Sequence, residues 1–140
     1  MGRRIVADTT YRIPVKEEFK VAVDLVARWI GTGRAKPTIT NLASWVVNDF
    51  TDTFLTLKDW ERLCKFALNK KYRGEEYIHI SYEGNAFAKQ IFEKAWRKLE
   101  KRCGEELNKT QAFILLLAIG ILFYKEQLKD LGIQIKDLYN

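Results

Sequence analysis

A chain of 140 residues is long enough for one domain or for two small units that share a core. With 47% apolar and 30% charged residues it is globular in composition, which excludes a disordered chain away from the ends. The formal charge is +6, and the excess sits in residues 1–74, with 14 Lys and Arg against 8 Asp and Glu; residues 75–140 carry 10 of each, so any polyanion would favour the first half.

The chain opens on "MGRRIVADTT", which carries charge but no apolar stretch of the kind a secretion signal needs. In "TTYRIPV" (Thr9 to Val15) the residues alternate, with Tyr11, Ile13 and Val15 on one side and Thr10 and Arg12 on the other. That period predicts a short strand, and Pro14 marks its end or the start of a helix. Phe19, Ala22, Val23, Val26, Trp29 and Ile30 then repeat at helical spacing until Gly31 and Gly33 stop the pattern. "RAKPTITN" is a turn with Pro37 suited to a first helical turn and Thr38 or Thr40 as cap candidates. Leu42, Trp45, Val46, Asp49 and Phe50 continue at helical spacing.

"TLKDWERLCKFALNKKYR" follows, and Leu57, Trp60, Leu63, Cys64, Ala67 and Leu68 give it one apolar face, so it predicts an additional helix. "YIHISYE" alternates again. Ile78, Ile80 and Tyr82 lie on one side, and Tyr77, His79 and Ser81 on the other. Ala88, Ile91, Phe92, Ala95, Trp96, Leu99 and Cys103 repeat as a helix that Gly104 stops. Asn108 to Gln111 reads as a capping box, and the helix it opens runs apolar to about Leu131, before Gly132. Its segment "AFILLLAIGILFY", residues 112–124, is 13 apolar residues closed by Lys109 and Lys125. A spanning helix needs about 20, so a fully buried core helix is expected, and no membrane partner.

The order strand, helix, glycine stop, capped turn, helix therefore occurs twice, in pattern and not in residue identity. Two such copies resemble the ribbon-helix-helix fold of the Arc and MetJ repressors, with "RIPVKEEF" similar to that family's strand-to-helix junction. The tandem form is similar to small transcription regulators of archaeal filamentous viruses, and the low Asn plus Gln count, 10 of 140, leans toward a hot environment. The resemblance implies a mainly α fold with a short two-stranded antiparallel β-ribbon. Residues 8–54 would be the first copy, 55–74 a connecting helix, 75–131 the second copy and 132–140 a C-terminal tail. A lone strand with two helices cannot bury its apolar side or satisfy its backbone. Both copies in one chain would pair as an intramolecular pseudo-dimer.

In that family the ribbon enters the DNA major groove and its outward residues meet base edges. The resemblance implies Thr10, Arg12, Tyr77, His79 and Ser81 as base-contacting residues. It implies phosphate contacts at the start of the second helix of each copy, where N–H groups and the helix dipole favour an anion. Those positions are Thr38, Ile39 and Thr40, then Asn108, Lys109 and Thr110, with Arg34 and Lys36 adding charge and Arg3 and Arg4 as a basic arm. The expected function is a sequence-specific double-stranded DNA-binding transcription regulator in the cytoplasm, a host's if the chain is viral. The alternative is a helical protein-interaction module, antitoxin-like or virion-associated, without specific DNA binding. The all-apolar helix needs cover on every side. Either the connecting helix supplies it or a second chain does, and a homodimer through the second copy is the expectation.

Enzyme chemistry has little to work with. His79 has no orienting partner on its strand face, and Glu17/Glu18, Glu75/Glu76 and Glu105/Glu106 read as solvated helix-surface charge. "GTGRAKPT" lacks the P-loop spacing. Cys64 and Cys103 stand far apart with no CxxC pair, so two buried thiols in a reducing compartment are expected, with no zinc site and no cofactor.

Overall fold

The computed structural model describes residues 9–31, 38–82 and 86–139. The described elements are β1 (Thr9–Val15), α1 (Glu17–Ile30), α2 (Thr38–Val47), a 3-10 turn (Phe50–Thr53), α3 (Leu57–Leu68), β2 (Glu76–Tyr82), α4 (Ala86–Cys103), α5 (Lys109–Phe123), α6 (Lys125–Asp130) and α7 (Lys136–Tyr139). Over the described residues the fold is mainly helical with one two-stranded sheet, in which β1 and β2 run antiparallel.

Local chemistry explains where the helices begin and end. α1 has Glu17 and Glu18 in its first turn and Arg28 in its last, each complementing the helix dipole. α3 opens with a capping box, in which Thr56 accepts from the Asp59 N–H and Asp59 accepts from the Thr56 N–H. Asn108 and Gln111 form the expected box at the start of α5. α2 is shorter than its periodicity suggests. Asp49 turns to a left-handed φ of 60°, and Lys98 closes the helix end by donating to the Val47 carbonyl at 3.0 Å and the Asp49 carboxylate at 2.8 Å. The long apolar helix likewise breaks at Tyr124 and continues as α6.

The core is built around α5. Every residue from Ala112 to Ile121 is buried, against α1, α2, α3 and α4. Gly120 shows how close the helices come, because a Cβ there would lie 2.9 Å from Val26 Cγ1 and 3.1 Å from Leu42 Cδ2. The connecting helix α3 is thus part of the cover. One chain encloses the segment by itself, which removes the argument for a second chain at that helix. Within residues 132–139, Ile135 and Leu138 are buried, and Asp137 pairs with Lys16 at 3.2 Å and Lys71 at 4.0 Å.

The expectation of two free thiols fails. Cys64 of α3 and Cys103, the last residue of α4, are joined by a disulfide with their Cα atoms 5.5 Å apart. The packing of α3 back against α4 brings together two residues 39 apart in sequence, a proximity that spacing does not reveal. Among the described residues no helix is long and apolar enough to cross a membrane.

Candidate nucleic-acid interface

The register of the ribbon fixes its two faces. Tyr11 stands opposite Ile80 and Ile13 opposite Ile78, while Arg12 stands opposite His79, Pro14 opposite Tyr77 and Thr10 opposite Ser81. Ile13, Val15, Ile78 and Ile80 are buried, and half-buried Tyr11 packs on Phe113 of α5 with ring centroids 5.1 Å apart. Alternation then turns Arg12, Tyr77 and His79 outward, and all three are exposed. Pro14 costs the ladder little, because each strand of a two-stranded ribbon has an open edge.

The outward face has internal order. The Arg12 guanidinium carbon lies 3.8 Å from the centroid of the Tyr77 ring. Stacking of this kind holds a planar cation while leaving its edge available for hydrogen bonds. His79 sits directly across the ribbon from Arg12. The nearest strand carboxylate, Glu76, is at the end of β2 and is engaged with Lys20 at 3.6 Å. The face therefore offers a forked cation, an imidazole and a phenol. For Thr10 and Ser81 the backbone register is described and the side chains are not.

The predicted phosphate-contacting residues divide. Thr38 and Ile39 are buried, so their side chains line the core and any anion contact falls to their backbone. Thr40 and Thr110 are half-buried. The Asn108 side chain is used in its capping box. Lys109 Nζ donates to the Tyr11 hydroxyl at 2.9 Å and lies over that ring, which ties the start of α5 to the ribbon. Arg3, Arg4, Arg34 and Lys36 lie outside the described residues.

Periodicity does not show the stacking of Arg12 on Tyr77, because the two residues are diagonal neighbours on different strands and meet only once the register is known. Comparison with known protein families, characterised proteins and solved structures finds no match to this chain.

Proposed function

We propose that this chain is a sequence-specific double-stranded DNA-binding transcription regulator that inserts its β-ribbon into the major groove. One observation carries the reading. Two strands from distant parts of the chain pair antiparallel, bury one face on the helical core, and present Arg12, His79 and Tyr77 on the other. The major groove admits a two-stranded ribbon, and an arginine can give two hydrogen bonds to a guanine edge. The two pairs α1–α2 and α4–α5 stand as the helices of a tandem ribbon-helix-helix pseudo-dimer, with α3 as the insertion between them. The host or viral setting in the cytoplasm belongs to the same proposal.

The two strands are chemically different, so the preferred core sequence is asymmetric, unlike the palindrome read by two identical strands. Selection of bound sites from random duplexes tests this. Arg12→Ala then costs about 1–3 kcal/mol on the selected site and relaxes one base position. Unchanged affinity and preference in Arg12→Ala refute base reading by Arg12. The interaction-module reading has one observation in its favour: Trp29, Phe50 and Phe123 are each more than a third exposed, and they border a cluster of ring contacts with Trp45, Phe54 and Tyr124.

A further inference from the structure

We infer that the loop between α3 and β2, carrying Lys70, Lys71 and Arg73, is a second phosphate-backbone contact that clamps DNA beside the ribbon. This rests on the DNA-binding reading above and adds to it a site that neither the strand pattern nor the helix starts indicate.

The first observation is conformational. Lys70 adopts φ 54°, in the left-handed region. It follows the end of α3 in a tight helix-ending turn, where the Lys71 N–H donates to the Phe66 carbonyl at 3.0 Å and the Lys70 N–H to the Ala67 carbonyl at 3.4 Å. After α4 and α6 that left-handed place is filled by Gly104 at 71° and Gly132 at 78°. Glycine takes this conformation without strain, whereas a lysine does not. A residue that weakens the fold where glycine would serve is accounted for by what its side chain does.

The second observation is that the loop is held rigidly while its cations stay outside. Tyr72 is buried against Phe66, and its carbonyl accepts from the Lys16 N–H at 2.8 Å. Gly74 lies flat on the end of β1, since a Cβ there would fall 2.7 Å from Lys16 Cα and 2.8 Å from the Val15 carbonyl oxygen. Lys70, Lys71 and Arg73 are exposed around these anchors. Lys71 shares Asp137 with Lys16. Among the described residues neither Lys70 nor Arg73 has an acidic partner. Exposed Glu75 offsets part of this charge, and Glu76 is taken up by Lys20.

The third observation is position. The loop runs straight into β2, and Arg73 is four residues before Tyr77. Gly74 and the Tyr72 carbonyl both lie on Lys16, the residue after β1, so the loop sits at one end of the ribbon, against both strands. With the outward face of the ribbon against the base edges, the exposed cations at the ribbon's end are the ones assigned to the flanking phosphates.

The test uses the full chain with a random-sequence 30-base-pair duplex and with the selected preferred duplex, titrated across salt. Lys70→Gly and Arg73→Gln each weaken binding several-fold on both duplexes, and each lowers the salt slope by about 0.9. Base preference is retained. Lys70→Gly also melts about 3 °C higher, because it relieves the left-handed strain. A higher melting temperature with unchanged affinity and slope would overturn the inference, since it leaves Lys70 no task. Should the loop variants bind like the unmodified chain while Arg12→Ala still loses its preference, the clamp fails and the ribbon reading stands. If the unmodified chain binds neither duplex, both fail.

Discussion

Removing the Cys64–Cys103 disulfide is expected to lower stability more than any single surface change. The bond closes a loop between residues 39 apart. In the chain-entropy description, closing such a loop removes about 13 cal/mol/K from the unfolded ensemble, or about 4 kcal/mol at 25 °C. At about 2.1 cal/mol/K per residue, a chain of 140 residues unfolds with an entropy near 0.3 kcal/mol/K. The loss then corresponds to a fall in Tm of about 13 °C. The closed segment contains β2 and α4, so half of the ribbon and the loop at Lys70 to Arg73 are inside the ring. Cys64→Ala combined with Cys103→Ala is the clean perturbation, because it leaves no buried thiols to reoxidise. The assay is calorimetry of the variant, and of the unmodified chain with and without a dithiol reductant, with free thiols counted in each sample. Two free thiols in the reduced sample and a Tm within 2–3 °C of the oxidised one would refute the reasoning. Such a result would mean that the unfolded chain already holds α3 and α4 together.

Two further outcomes follow from the packing. Gly74→Ala should destabilise by about 1–3 kcal/mol, as overpacking does, because its Cβ meets Lys16 backbone and not a movable side-chain tip. Urea denaturation gives the magnitude, and a neutral result would show that the base of the ribbon yields easily. At alkaline pH the chain should lose stability. Burial raises the Tyr72, Tyr124 and Tyr139 hydroxyls above their usual value of 10.0. An acid with a raised folded pKa contributes stability that is complete below its unfolded pKa and is lost as pH rises through the folded one. The decline should therefore begin near pH 10 and be smaller in Tyr72→Phe. A profile flat from pH 9 to 11.5 would contradict it.

Much of the architecture was legible in the sequence because it rests on local rules. Alternation in "TTYRIPV" and "YIHISYE" gave both strands, and the side chains that proved buried, Ile13, Val15, Ile78 and Ile80, are those of the apolar parity. The capping box at Asn108 was readable, and the one at Thr56 carried the same type of signal, a threonine followed three residues later by an acidic residue. What stayed hidden depends on tertiary contact. Trp29 fits the apolar stripe of α1 but lies beyond the cover of the core, against Tyr124 at its edge. The end of α2 at Val47 is set by Lys98, 51 residues away. On the interface, Arg12 was visible as outward, whereas its stacking on Tyr77 required the register. Lys70 looked like one lysine in a run, and only its backbone angle sets it apart.

The inserted helix α3 links these features. On the proposed reading the chain holds two copies of a strand and two helices, but the apolar helix α5 is buried on all sides, and a symmetric four-helix arrangement would leave part of it bare. α3 lies against that side, and the disulfide fixes α3 to α4. By occupying that place α3 makes the two halves unequal. Its exit, through the left-handed Lys70, delivers a basic loop to one end of the ribbon. On the proposed reading, the same insertion that lets a single chain cover its core also gives the DNA-facing surface a direction.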